Sequence, residues 1–223
     1  MKRKIITTSD GSRTIHIEEW NEHYHSKHGA IQEAYHVFIE AGLSTVKQSS
    51  LAILEMGFGT GLNAFITLLE AEKKKLQIDY TGVEAFPVLS VELEQLNYIE
   101  YLNADTYKEC FSTMHSSSWE EHHQISPYFK LIKQQRNFGE VEEQNRYDLV
   151  YFDAFGARVQ PELWTTKMFQ KMYRALKSGG ILVTYSAKGS VRRAMQSVGF
   201  KVERLPGPPG KREMLRAIKL MVN

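Results

Sequence analysis

ILEMGFGTGLN, residues 53–63, is an apolar run that breaks into glycine and stops at an asparagine. A short apolar run bounded by a turn signal reads as a buried strand, and LNAFITLLEAEKKK behind it reads as a helix with an apolar first half. A glycine turn between strand and helix is where α/β proteins hold nucleotide-like ligands, and its spacing decides which kind. The dinucleotide fingerprint, G-x-G-x-x-G, places a third glycine at its sixth position so that the helix can approach the strand. Counted from Gly57 the sixth position is Leu62, and counted from Gly59 it is Ala64. Neither register fits. No Lys-Ser/Thr pair follows, so the phosphate cradle of a nucleoside triphosphate is missing as well. Glu55, just before the turn, also disfavours a pyrophosphate, which is best served by open backbone N–H groups. A zwitterion such as S-adenosylmethionine, with an amino acid end, a sulfonium and an adenosine but no phosphate, tolerates that acid. Glu55, Gly57, Phe58, Gly59, Thr60, Gly61 and Asn63 are therefore the candidate cofactor residues.

Two more acids stand at strand ends. Glu84 closes IDYTGVE, 23 residues after Gly61, where an acid accepts both ribose hydroxyls of an adenosine; Ala85 follows it on the same wall. The plainer alternative is an exposed glutamate at a strand end. Asp153, in YFDAFGARVQPELW, follows an apolar run and so stands at a strand's carboxyl end, where open α/β sheets keep their ligands. It lies too far before Pro161 to cap the next helix, and an acid beside an aromatic residue, Phe155, can hold an amine near a reactive methyl.

Further out, strand and helix alternate. IDYTGVEAFP reads as a strand, LSVELEQLNYIEYL as a helix, YDLVYFDAFG as a strand, PELWTTKMFQKMYRALKSGG as a helix with Pro161 in its first turn, and GILVTYSA as a strand. KGSVRRAMQSVGF is the last helix, and KVERLP with REMLRAIKLM an antiparallel pair around GPPGK. Upstream, residues 5–17 suit a short hairpin about Asp10-Gly11, and GAIQEAYHVFIEAGL a helix ended by Gly42. Residues 103–146 are polar and irregular, with YFKLIKQQ their best strand. The pattern predicts a mostly parallel sheet covered on both faces.

Bulk properties narrow the function classes. A chain of 223 residues, 42% of them hydrophobic, can bury a sizeable core. The single cysteine, Cys110, excludes an internal disulfide framework and cysteine-rich zinc sites. MKRKIITTSDGSRT lacks the apolar stretch of a signal peptide and no run reaches membrane-spanning length, which predicts a soluble, cytoplasmic protein. The net charge of +2 conceals an asymmetry: residues 165–223 hold 13 Lys and Arg against two acids, Glu203 and Glu213. A basic third can meet a phosphate backbone, or it can be a solvated helix face. His23, His25 and His28, or His122-His123, offer no third ligand at fixed spacing, so no metal is expected.

EMGFGTGLN, VEAFP, FDAFGARVQPELWT, GGILVTYSAKGSVRRAMQSVGF and GPPGKREML together resemble the methyltransferase domain of the bifunctional tRNA 5-methylaminomethyl-2-thiouridine biosynthesis protein family, MnmC. HYHSKHGAIQEAYHVFIEAG is similar too, with Tyr24, Ser26, Glu33, Val37 and Phe38 in place, and the blocks run from about Tyr24 to Leu215. The resemblance implies a Rossmann-like class I S-adenosylmethionine-dependent methyltransferase fold: a mostly parallel seven-stranded sheet, a C-terminal antiparallel hairpin and a small N-terminal extension. On that basis residues 1–45 form the extension and residues 46–223 the methyltransferase domain, without the family's flavin-dependent oxidoreductase half. The implied reaction is methylation of the primary amine of 5-aminomethyl-(2-thio)uridine at the wobble position of a tRNA substrate. The implied assignments are the Gly57–Asn63 loop and Glu84 for the cofactor and Asp153 for the amine. The family's adenine-reaching aspartate is absent from LIKQQRNF, leaving Gln135, Arg136 or Asn137 to meet the base, and Gly156-Ala157 stands where the family often has Ala-Pro.

An ordinary carboxylate with a pKa of about 4 is a weak base for an alkylammonium. The expectation is that Asp153 binds and aims the amine, with the proton leaving to water. Phe155, Tyr185 and Trp164 are candidates to line a base pocket, stacking being the common way to hold a splayed RNA base, although Trp164 suits core packing equally. Arg192, Arg193, Lys211 and Arg212 are the candidate phosphate contacts, with Lys188 behind them. Two rivals stay open at this point: an amine methyltransferase acting on a small molecule or protein, and a non-catalytic RNA-binding module of the same fold.

Overall fold

The structure, a computed structural model, describes residues 2–221. It begins with β1 (Arg3–Thr7), β2 (Arg13–Ile17) and the two-residue β3 (Glu22–His23), which form a small antiparallel sheet. Helix α1 (Ala30–Ala34) runs directly into a π-helical turn, Tyr35–Glu40, so the segment predicted as one helix changes pitch midway. The central unit then follows as β4 (Ser50–Met56), α2 (Leu62–Lys74) and β5 (Gln77–Val83). After the short α3 (Ser90–Leu93), α4 (Tyr98–Tyr101) and α5 (Lys108–Ser116) come β6 (His122–Ser126), β7 (Phe129–Gln134) and β8 (Tyr147–Phe152). Helix α6 (Thr166–Ala175), β9 (Leu176–Thr184), α7 (Gly189–Ser197), β10 (Phe200–Pro206) and β11 (Glu213–Lys219) complete the chain.

The main sheet has the order β10-β11-β9-β8-β4-β5-β7-β6. Its five central strands are parallel and its ends are antiparallel, β11 and β10 on one side and β6 on the other. The sheet therefore has eight strands where seven were expected. Strand β6 was missed because HHQIS is a polar edge strand without apolar alternation. The near-continuous apolar runs of β4 and β8 follow from burial on both faces. Ile53 and Tyr151 point into a core shared with α1, α2 and α5, while Leu54, Val150 and Phe152 point into a second core under α6 and α7.

Two predicted helices are shorter than their sequence patterns. Residues 90–101 break into α3 and α4. Pro161 starts only a 3-10 turn, Pro161–Trp164; α6 begins afterwards, capped by the Thr165 hydroxyl, which accepts from Met168 N at 3.3 Å. It ends at Ala175, and Ser178-Gly179-Gly180 belongs to β9 instead. No helix among the described residues is long and apolar enough to cross a membrane.

Candidate active site

Three strand tips meet at the carboxyl edge of the sheet. Gly57 N and Phe58 N both donate to Val83 O at 3.0 Å, which binds the glycine turn to the end of β5, and Asp153 N donates to Met56 O at 3.0 Å, which binds the end of β8 to β4. Gly57 has φ 104° and a Cβ there would lie 2.6 Å from the Asp153 carbonyl oxygen, so only glycine lets the tips close this far. Helix α2 starts from Gly61 with no side-chain cap, leaving its first N–H groups for a ligand's carboxylate. Glu84 is held rigidly: its Oε2 accepts from Gly59 N at 3.0 Å and its Oε1 from Phe86 N at 2.9 Å. A cavity of about 890 Å³ opens above these tips, within the range that encloses a nucleoside-sized ligand.

A single amide joins the two acids at the floor. Asn63 Nδ2 donates to Glu55 Oε1 at 2.9 Å and to Asp153 Oδ2 at 2.8 Å. Glu55 is 0% exposed, and burial pushes its carboxyl well above the usual range. Asp153 lies half-buried and lines the cavity. Desolvation raises its pKa to about 7; the Asn63 hydrogen bond pulls down, the Glu33 charge pushes up and the Lys211 charge pulls down. It is thus not the ordinary carboxylate of pKa near 4 that the sequence suggested.

Aromatic side chains build the far wall. The Phe155 ring meets Tyr24 edge-on at 5.0 Å and Trp20 at 5.4 Å, while the Trp164 indole N–H donates to Phe155 O at 2.8 Å. Tyr185 donates its hydroxyl to Ala154 O at 2.8 Å and lies under the Lys211 ammonium, 4.0 Å from the ring centroid. Lys211 is paired with Glu33 at 2.6 Å, and Arg158 bridges to Glu22 at 2.9 Å.

Of the residues proposed from sequence, Gly57, Phe58, Gly59, Thr60, Asn63, Glu84 and Ala85 line the cavity together with Asp153, Phe155, Tyr185 and Lys211. Glu55 and Gly61 do not. Glu55 sits fully behind the floor and cannot meet a ligand's ammonium, and Gly61 is the helix cap behind the turn. Arg192, Arg193 and Arg212 do not line the cavity either, and Lys211 is committed to Glu33 rather than free for a phosphate. Trp164 is buried and supports the wall from beneath. At the opposite end Asn137 lines the main cavity, whereas Gln135 and Arg136 border an adjoining hollow of about 650 Å³ and Arg136 is engaged by Glu143 and Gln134. The histidines are dispersed: His23 stacks on His16 at 4.4 Å, and His25 Nδ1 bonds the Thr14 hydroxyl at 2.9 Å. Trp20 and Glu22 carried no signal in the sequence. Glu33 did carry one, as an acid on the helical face shared by Ala30, Ile31 and Ala34, all buried.

The cleft has no lysine on its glycine turn and no dinucleotide spacing. It offers a fixed acid for a ribose, an uncapped helix for a carboxylate, and a floor acid at the next strand, all in one cavity. That arrangement fits S-adenosylmethionine and places the protein among the class I methyltransferases. A sequence model of an S-adenosyl-L-methionine-dependent methyltransferase family matches residues 102–220, more than half of the chain, and the chain belongs to that family. Among curated relatives, the tRNA 5-methylaminomethyl-2-thiouridine biosynthesis bifunctional protein MnmC of Aromatoleum aromaticum is 30% identical over 96% of this chain and 35% of its own length. The protein of the same name from Actinobacillus pleuropneumoniae is 28% identical over 89% of this chain and 32% of its own length. The chain thus spans about a third of these relatives. The crystal structure of MNMC2 from Aquifex aeolicus superposes with a TM-score of 0.75 at 25% identity, covering 99% of this chain and 72% of that one. Spermidine synthase from Thermotoga maritima shares the fold at 14% identity and a TM-score of 0.57, covering 97% of this chain and 68% of that one.

Proposed function

We propose that the protein methylates the primary amine of 5-aminomethyl-(2-thio)uridine at the tRNA wobble position, giving 5-methylaminomethyl-(2-thio)uridine. The observation that carries this reading is the Asn63 amide, which ties the amine-facing Asp153 to the cofactor turn and puts acceptor and donor machinery in one cavity. The bifunctional relatives, named for 5-methylaminomethyl-2-thiouridine biosynthesis, support the choice of acceptor. Residues 46–223 carry the cofactor machinery in this account. Residues 1–45 contribute Trp20, Tyr24 and Glu33 to the acceptor side.

When bound, S-adenosylmethionine supplies an electrophilic methyl on its sulfonium. The residues that would hold it are Gly57, Phe58, Gly59, Thr60 and Asn63, with the α2 N-terminus, and Glu84 with Ala85 for the adenosine; Asn137, on the same cavity, would meet the base. The protein's largest contribution is alignment, worth roughly 7–11 kcal/mol when reacting atoms are held in near-attack geometry. The amine must arrive with its lone pair free. Moving a proton from an ammonium of pKa about 10.4 to a carboxylate of pKa about 4 costs roughly 9 kcal/mol, and to one near 7 roughly half that. Burial therefore turns Asp153 from a group that only aims the amine into one that can also accept its proton. Phe155 and Tyr185 wall the uracil.

Lys167 and Lys188 stand exposed on the cavity rim and are the nearest candidates for phosphates. Arg193 and Arg212, exposed outside the cleft, extend that surface. The test is nucleoside mass analysis of aminomethyl-bearing tRNA incubated with the protein and methyl-labelled cofactor. The label is expected on the aminomethyluridine alone; a label on any other nucleoside overturns the assignment.

A further inference from the structure

One pair of charges in the cleft has no part in holding the cofactor. Lys211 comes from the loop between β10 and β11, Glu33 from α1, 178 positions away in the chain, and their side chains meet at 2.6 Å. The ammonium sits 4.0 Å above the Tyr185 ring, a cation–π contact that restrains it. Glu33 is 9% exposed and is anchored a second time, accepting from Ser26 N at 3.3 Å. The Lys211 side chain keeps 33% of its surface exposed against 11% for Glu33, and a partly exposed pair of this kind adds little to stability. Both side chains line the same cavity as Asp153, and Tyr185, under the Lys211 ammonium, is hydrogen-bonded to the carbonyl of Ala154, the next residue.

We propose that Lys211 and Glu33 are positioning residues for amine methylation: Lys211, pinned by Glu33 across the face of Tyr185, sets the charge that Asp153 presents to the incoming amine. The proposal rests on the reading of Asp153 as the amine-facing group. The ionisable groups around Asp153 come from several elements. Glu55 lies behind it on β4, Tyr80 on β5, Tyr185 beyond β9, Glu33 on α1 and Lys211 on the hairpin loop, with Asn63 of α2 hydrogen-bonded to it. Burial pushes the Glu55 carboxyl and the two phenols well above their usual ranges, and Glu33 and Lys211 are the charged side chains that bear on Asp153. They act with opposite sign. Lys211 favours the ionised carboxylate and Glu33 opposes it, and each restrains the other. The pair would also keep Lys211 from swinging to Asp153 and occupying the place of the substrate's ammonium.

The test reads Asp153 directly. A 13C NMR titration of its carboxyl in the full chain is compared among the wild type, Lys211→Met, Lys211→Arg and Glu33→Gln. Lys211→Met should raise the midpoint by about half a pH unit or more, Glu33→Gln should lower it, and Lys211→Arg should stay near the wild type. The acid limb of the methylation rate on aminomethyl-bearing tRNA should move in the same directions. Cofactor affinity by calorimetry should hold within about twofold. A midpoint unmoved in both Lys211→Met and Glu33→Gln overturns the proposal. So does Lys211→Arg behaving as Lys211→Met does. Should Lys211→Met lose its near-ultraviolet circular dichroism, Glu33→Gln and Lys211→Arg decide the matter by the same titration. If the wild type methylates no aminomethyluridine, the acceptor assignment fails separately, and the titration still reports whether the pair controls Asp153.

Discussion

Asp153 is the residue on which chemistry and stability pull in opposite directions. Its carboxyl has an ordinary value of 3.8 and is raised to about 7 in the fold. Methylation should therefore climb as pH rises through about 7 and level off above it, an acid limb visible in kcat/KM. Asp153→Asn should lower the rate by orders of magnitude while calorimetric cofactor affinity changes by no more than a few fold; an equal loss of affinity would move Asp153 into the cofactor shell. Between 3.8 and 7 the folded chain holds a proton that the unfolded chain has released, so this group's contribution to stability falls as pH rises across that window. Removing the charge should raise the melting temperature at pH 8, by roughly 2–4 °C for each kcal/mol regained, with little gain at pH 4. Calorimetric melting of Asp153→Asn at the two pH values checks it, and a lower melting temperature at pH 8 would contradict the burial account. The position of Asp153 was legible in YFDAFG, because an acid after an apolar run marks a strand's end. Its altered acidity was not, since desolvation and the charges of Glu33 and Lys211 depend on residues brought together only by folding.

Among elements, the turn and strands of the cofactor side were readable because their signals are local: an apolar run, glycines, then an apolar helix face. Elements failed to match where tertiary packing overrode the local pattern. Residues 161–180 look like one helix, yet the chain uses Trp164 as a fixed point: its indole N–H is satisfied by Phe155 O, and α6 restarts from the Thr165 cap. Trp164→Phe should cost about 1 kcal/mol for the lost hydrogen bond and loosen the Asp153–Phe155 segment. Steady-state kinetics should then show a raised KM for the acceptor with an unchanged cofactor affinity. A change confined to the cofactor would place the segment's role elsewhere. The acceptor wall built by Trp20, Tyr24 and Glu33 was the least legible part of the site. The resemblance marked Tyr24 and Glu33, but nothing local gave them a partner in Phe155 or Lys211.

For the whole molecule, charge is distributed unevenly, and the structure divides the basic third into separate tasks. Lys211 is inside the cleft, Lys167 and Lys188 are on its rim, and Arg192, Arg193 and Arg212 lie outside. Lys167→Glu with Lys188→Glu should weaken tRNA binding and flatten the dependence of log K on log salt by about one to two units, while cofactor binding is unaffected. Filter binding over a salt series checks this; an unaltered slope would shift the nucleic-acid surface elsewhere. The composition made a basic face legible, but not which of its members faces the cavity, because helix phase and loop packing select them.

The two halves of the cavity also differ in how far along the chain their partners lie. The proposed donor side is knitted mainly within the consecutive elements β4, α2 and β5, whereas the proposed acceptor side depends on a contact spanning 178 positions and on the hairpin at one antiparallel end of the sheet. Residues 207–212 are a loop with little buried surface, and such segments open at low free energy. Amide hydrogen exchange should accordingly be faster over residues 207–212 than over β4 and β5, with the Glu33→Gln variant widening the gap. On the proposed reading, a cleft built this way admits and discharges a bulky polynucleotide through one wall while the small donor stays seated against the other.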